Sequence, residues 1–312
     1  MTGRPTPFFV VAGFLGSGKT TLLKNFLAVH AGGKKIAVVQ NEFAPGNIDG
    51  RELLATGLPF KILEINNGSV FCVCLLAGFI RSLAALLDSD GFDAVVLEAS
   101  GLSDPIALAQ MIEADVLRGR LFLVHTWCVA DASSFPRMER VVLPVARQVR
   151  VADTVIINKT DLASADDIRK TGERVREINP LARRIETSYC RVALDDAFAP
   201  LTAEPVALRT RDENAQFEAC GRPALGSAAL RSHRTITRAG LDLFLKEVAT
   251  NLFRLKGFVR LEGGGAVSVQ FSSGVLEILP AASGTEATEL VAIGPGLDAR
   301  TFRRSFNAFT SS

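Results

Sequence analysis

Gly13-Phe14-Leu15-Gly16-Ser17-Gly18-Lys19-Thr20 satisfies every fixed position of G-x-x-x-x-G-K-[ST]. Ahead of it, Phe8-Phe9-Val10-Val11 reads as a short buried strand. Behind it, Thr21-Leu22-Leu23-Lys24-Asn25-Phe26-Leu27 has apolar residues at helical spacing. A strand, a glycine loop and a helix in that order turn successive backbone N–H groups and the positive end of a helix onto a phosphate chain. Gly13, Gly16 and Gly18 let the backbone wrap closely, with Ser17 and Thr21 in the same cradle. Lys19 then reaches phosphate oxygens as a point charge, and the Thr20 hydroxyl is the Mg²⁺ ligand. The competing reading, an ordinary glycine-rich turn opening a core helix, explains neither the spacing nor both flanks.

The rest of the chain sorts around this loop. With 312 residues, more than one domain is expected. Apolar residues make up 48% and charged ones 22%, and Lys plus Arg number 35 against 33 for Asp plus Glu. That near-neutral balance predicts a globular protein and gives no reason to expect nucleic acid or a membrane surface as partner. The first residues, Met1 to Pro7, resemble no signal peptide, and no apolar run reaches the roughly 18 residues of a spanning helix, so a cytoplasmic protein is expected. Five cysteines at scattered positions make no disulfide framework.

Ile36 to Gln40 reads as a second strand, running into the turn-rich loop Asn41 to Asp49. A loop leaving this strand near the phosphates can sense the terminal one, with Glu42 and Asp49 facing a metal or a water; a solvated loop with two acids is the alternative. After the strand-like Ile62 to Ile65 comes Cys72-Val73-Cys74, ahead of a helical stretch from Ala77 to Leu87. In extended backbone this spacing sends both sulfurs to one face, where they can share a soft ion; two thiols lining a core strand would look the same. Phe92 to Glu98 is a buried strand ending in an acid, followed by Ala99-Ser100-Gly101. Glu98 is thus the candidate carboxylate for Mg²⁺, and the Gly101 N–H a contact for the terminal phosphate in a second switch reaching Asp104. Pro105 is expected to open the next helix.

Leu121 to Asp131 is another core strand, in which His125, Trp127 and Cys128 read as packing. Thr154 to Ile157 then leads into Asn158-Lys159-Thr160-Asp161. N-K-x-D at the end of a strand is a guanine reader: the Asp161 carboxylate accepts from N1–H and the exocyclic amine together, and adenine offers no such pair. Asn158 braces the loop, the Lys159 stem covers the base, and Thr187-Ser188 is a further candidate for the pocket. Asp166 to Ile178 reads as an amphipathic helix and Ala182 to Thr187 as a last strand. Beyond residue 228, Arg234 to Thr237 and four later segments read as short strands, with helices over Leu241 to Phe253 and Asp298 to Phe309.

The expectation is an α/β phosphate-loop NTPase with a mostly parallel sheet over residues 1–195, a linker over 196–228, and a smaller C-terminal α+β domain over 229–312. Lys19, Glu98 and Asp49 are the candidate catalytic residues.

The order of these motifs resembles the CobW-type GTPases, relatives of the GTPases that insert nickel into urease and hydrogenase. The likeness rests on Gly13 to Leu23, Asn41-Glu42-Phe43 with Ile48-Asp49, Glu98 to Pro105, Val129-Ala130-Asp131-Ala132, Ala152-Asp153 with Asn158 to Leu162, Leu255 to Phe258 and Leu290 to Gly294. It implies GTP binding and slow Mg²⁺-dependent hydrolysis coupled to loading and release of a metal, zinc or cobalt, for a client metalloenzyme or cofactor-maturation protein; a nucleotide-dependent homodimer is a candidate assembly that the sequence leaves open. Glu42, Cys72 and Cys74 are the implied ligands of the delivered metal. Two positions depart from the family pattern: Leu75 replaces the third cysteine of C-x-C-C, and Pro45 replaces a second switch glutamate. These departures leave open a GTP-dependent chaperone for corrinoid-enzyme maturation that holds no metal. A small-molecule kinase on the same scaffold is disfavoured by Asn158 to Asp161.

Overall fold

The computed structural model describes residues 5–41, 53–65, 73–89, 91–101, 108, 111–112, 114–198, 206–207, 225–272, 275–281 and 285–310. The chain divides into two compact units, Met1–Pro200 and Leu201–Ser312.

In the first unit, β1 (Thr6–Gly13), β2 (Ile36–Asn41), β3 (Phe60–Ile65), β4 (Ala94–Glu98), β5 (Leu121–Asp131), β6 (Thr154–Asn158) and β7 (Arg183–Glu186) form a seven-stranded sheet in the order β3-β2-β4-β1-β5-β6-β7. Every pairing is parallel. A parallel sheet is covered on both faces, which is why β1, β4 and β6 read as unbroken apolar runs. Phe8, Val10 and Ala12 of β1 enter a core cluster with Phe79, Leu83 and Leu86 of α2 (Val73–Ser89). On the alternate face, Phe9 packs against Phe26 of α1 (Lys19–His30), with ring centroids 5.4 Å apart. A third cluster joins Val155 to α3 (Phe135–Val141), α4 (Leu143–Val151) and α5 (Ala165–Ile178). α3 and α4 are two short helices, each with a proline in its first turn.

Helix α2 begins at Val73, so Cys74 is helical rather than extended, and the two-residue period that would put Cys72 and Cys74 on one face of a strand does not hold; the leucines and alanines from Leu75 onward favour helix back to that point. Cys72 and the Cys74 side chain lie outside the described residues, as do Glu42, Asp49 and Pro105.

The second unit is a six-stranded antiparallel sheet, in the order β8-β12-β11-β10-β13-β9, made of β8 (Val206–Ala207), β9 (Leu225–Ser232), β10 (Arg254–Arg260), β11 (Ala266–Ser272), β12 (Val275–Pro280) and β13 (Thr288–Pro295). The stretch read as linker therefore contributes β8 and the start of β9. The strand expected over Arg234 to Thr237 reduces to isolated bridges at Ile236, because Thr237 accepts from the Gly240 N–H and caps the next helix. That helix, α6 (Arg238–Ala249), and α7 (Ala299–Ala308) share one core with Leu255, Val259, Val269, Phe271 and Leu290. Phe244 is its centre, fully buried and edge-on to Phe306 at 5.3 Å.

Phe244→Ala is expected to cost this unit about 3–5 kcal/mol, and Phe244→Leu less. Urea unfolding followed by far-UV circular dichroism measures it. A loss for the alanine variant below about 1 kcal/mol would place the ring outside the core.

Candidate functional site

Because all seven strands run the same way, their carboxyl ends share one edge, and ligands of open α/β sheets bind there. Gly13, Asn41, Glu98, Asp131, Asn158 and Glu186 are the last residues of β1, β2, β4, β5, β6 and β7. The residues singled out by motif and described by the structure gather on this edge because the topology puts it there.

The phosphate loop leaves the centre of the sheet. Gly13, Gly16 and Gly18 have φ of 142°, 74° and 113°. At Gly18 a Cβ would lie 2.5 Å from Asn158 Nδ2 in a conformation L side chains rarely adopt, so no other residue fits. The N-terminus of α1 has no side-chain cap and no acid in its first turn, which leaves its amides for a ligand. Ser17 is buried, and its hydroxyl has no hydrogen-bond partner among the described residues. Lys19 is 8% exposed, and its Nζ donates to the Phe14 carbonyl at 3.3 Å, within the loop. Thr21 follows in the first turn of α1, half-buried.

Beside the loop, the Thr20 hydroxyl donates to Glu98 Oε1 at 2.8 Å. Gln40 Nε2 donates to the other carboxylate oxygen at 2.9 Å. Glu98 is buried and thus held at both oxygens by neutral donors, with the Thr20 lone pairs turned away from it. A hydroxyl and a carboxylate side by side are the hard oxygen set that suits Mg²⁺. Gly101 lies against the loop, since a Cβ there would meet the Leu15 nitrogen at 2.5 Å. Its carbonyl accepts from Gln148 Nε2 at 3.3 Å.

The Asn158 to Asp161 side of the site is built from β6 and the turn after β7. Asn158 is buried; its Nδ2 donates to the Ser17 carbonyl at 2.9 Å, and its Oδ1 accepts from the Cys190 N–H at 2.9 Å. Lys159, with φ of 63°, donates to Asp131 Oδ2 at 2.8 Å. Asp131 also accepts from the Ser133 N–H and hydroxyl. Burial pushes the Asp131 carboxyl up, but the hydrogen bonds from Lys159 and Ser133 outweigh it and leave it below the ordinary carboxylate value. The Asp161 side chain is exposed, while its N–H donates to Ser188 Oγ at 3.2 Å, and Thr160 Oγ1 lies 3.0 Å from the same hydroxyl.

Cys128 and Cys190 are buried thiols. Burial pushes Cys128 up to about 12 against the opposing charge of Lys19, and pushes Cys190 up to about 12 as well. Neither offers a thiolate near neutral pH, in line with Cys128 as packing. Among the described residues no group of three or more His, Cys, Asp or Glu is placed to hold a metal.

Gln40, Asn25 and the tie from Asp131 to Lys159 were not anticipated. Gln40 and Asp131 carried a usable signal, a polar residue closing an apolar strand. Asn25 carried none, because its partners lie far along the chain.

Residues 7–186 match the family model described as the CobW/HypB/UreG nucleotide-binding domain, and residues 225–310 match the cobalamin synthesis protein cobW C-terminal domain. The zinc-regulated GTPase metalloprotein activator 1 of Schizosaccharomyces pombe is 32% identical over 199 residues, covering 62% of this chain and 47% of its own. The zinc chaperone YjiA of Escherichia coli is 32% identical over 186 residues, covering 57% and 56%. The chain spans about half the length of the curated relatives it matches. The crystal structure of Zn(II)-bound YjiA GTPase from E. coli superposes with a TM-score of 0.58 at 22% identity, covering 99% of this chain and all of that one, a likeness of fold. The first family model alone spans more than half of the chain, and on that match the chain belongs to the CobW/HypB/UreG family of nucleotide-binding proteins.

Proposed function

We propose that this protein binds and slowly hydrolyses GTP, and that the nucleotide state governs delivery of a transition metal, zinc or cobalt, to a client protein. The observation that carries the nucleotide half is the paired arrangement of Thr20 with Glu98 and of Asn158 between the Ser17 carbonyl and the Cys190 N–H. The first makes a hard-oxygen corner beside the phosphate loop; the second fixes the base loops to that same loop.

In this reading Gly13, Gly16, Ser17 and Gly18 wrap the phosphates with backbone N–H groups. Lys19, buried with its ammonium at a loop carbonyl, exchanges that contact for phosphate oxygens. Thr20 and Glu98 hold Mg²⁺, which when bound offsets charge on the phosphate oxygens. Glu98 and Asp49 orient the attacking water, and the Gly101 N–H donates to the terminal phosphate. Asp161 selects guanine, since adenine does not present an N1–H and an exocyclic amine together to its carboxylate. Asp131 holds Lys159 in its left-handed conformation, so that the lysine stem covers the base face. Turnover is slow, as the family resemblance implies, until a partner accelerates it.

The metal half rests on relatives named zinc chaperones and a zinc-regulated activator. Glu42, Cys72 and Cys74 are the ligands we assign to the cargo. With Leu75 and Pro45 at the departing positions, three ligands would leave the ion an open coordination place, which suits an ion that is handed on. The same departures favour a second reading, in which the nucleotide switch acts on a protein client and no metal is carried.

Hydrolysis should fall at least about 100-fold in Lys19→Ala and stay within about 2-fold of the parent in Cys72→Ser; the opposite pattern would sink the division of labour. Zn²⁺ and Co²⁺ competition titrations, run with a non-hydrolysable GTP analogue and then with GDP, separate the two readings. Tight binding that Cys72→Ser abolishes and GDP weakens supports delivery, whereas weak binding indifferent to both selects the protein-client switch. Asp161→Asn should weaken GTP by roughly 100-fold or more and favour xanthosine triphosphate, whose second carbonyl accepts from the new amide. In acid, Asp131 contributes stability that is present above its unfolded value of 3.8 and is lost as pH falls through its lower folded value. Asp131→Asn should therefore flatten the acid limb of a thermal-melting profile below about pH 4, and an unchanged limb would contradict the ion pair.

A further inference from the structure

Among the described residues, Lys159, Tyr189 and Cys190 are the non-glycine positions with left-handed backbone, at φ of 63°, 56° and 50°. All are in the two loops on the base side of the site. Such conformations persist only where surrounding contacts over-determine them, and here two successive residues adopt one. Tyr189 supplies none of the restraint through its own side chain, which is 63% exposed and meets Arg191 at 5.7 Å. The restraint comes from outside the turn. Asn25, on α1, donates from Nδ2 to both carbonyls, Tyr189 at 3.2 Å and Cys190 at 2.8 Å. Reversing the Asn25 amide would set its oxygen against two carbonyl oxygens, so the partners fix its orientation. Asn158 takes the Cys190 N–H, and Cys190 Sγ donates to the Gly18 carbonyl at 3.4 Å.

We propose that Asn25 is a positioning residue that latches the turn Thr187 to Cys190 onto the phosphate helix, so that guanine selection depends on a side chain in neither motif. The inference rests on Asp161 reading guanine. The path is short. Asn25 holds the carbonyls of Tyr189 and Cys190; Ser188, next in the turn, holds Thr160 and the Asp161 N–H. A turn released at Asn25 carries Ser188 with it, and the Asp161 loop loses its outer support. Because α1 begins at Lys19, one rigid helix then sets the distance between the phosphate cradle and the base reader.

The test uses the full chain and a fluorescent GDP, following its release by stopped flow and its displacement by GTP and by ATP. Asn25→Ala is expected to speed release about 10-fold and to lower the GTP-over-ATP preference by a similar factor. Asn25→Asp, equal in size but without donors and repelled by both carbonyls, should do at least as much. Asn25→Ser, which keeps one donor, should fall between, and it carries the test if the alanine variant fails to fold. In a Tyr189→Gly background, where glycine takes the left-handed conformation unaided, the effect of Asn25→Ala should shrink to below about 3-fold. A purely structural asparagine would lower the melting temperature while leaving release rate and base preference within about 2-fold, and that result overturns the latch. A parent protein that binds ATP as tightly as GTP overturns the guanine reading instead, and the release rates then decide the latch alone.

Discussion

The Asn158 side chain spans the interval between the phosphate loop and the turn after β7, donating to Ser17 on one side and accepting from Cys190 on the other. It can do both because an amide has opposite polarity at its two ends and because the site leaves it buried and fixed. Gly18 has no Cβ for the same reason, since any side chain atom there would meet that amide. The geometry of loop, strand end and turn is therefore one interlocked arrangement rather than three separate motifs.

A parallel sheet makes this arrangement available. The seven strands deliver Gly13, Gln40, Glu98, Asp131 and Asn158 to one edge, each after an apolar stretch buried on both faces. Burial there raises the stakes for polar groups: Glu98 is satisfied by Thr20 and Gln40, and Asp131 by Lys159 and Ser133, while the Ser17 hydroxyl stays without a partner among the described residues. Polar side chains satisfied in this way hold the strand ends and the loop in one rigid arrangement.

The second unit follows different physics. Its antiparallel sheet alternates core and outward residues, and α6 and α7 close one face with Phe244, Phe302 and Phe306. No motif chemistry is attached to that core, which accounts for why its strands were readable only as short β-branched runs and why its start was placed late. Val206–Ala207 joins the sheet by pairing with Val275 and Leu276, a partnership far along the chain that composition does not signal.

What the sequence determined by itself was local and periodic. The glycine loop, its flanking strand and helix, the acid closing β4 and the N-K-x-D after β6 are contiguous, so their chemistry is written in neighbouring residues. Tertiary structure alone decided how those pieces meet: that Thr20 and Glu98 share a hydrogen bond, that Gln40 takes the second carboxylate oxygen, and that Asn25 reaches a turn at residues 189–190. It also decided which sheet face α2 covers, through Phe79, Leu83 and Leu86 against Phe8, Val10 and Ala12. A side chain's identity fixes which bonds it can make; only the folded chain brings a partner within hydrogen-bonding distance of it.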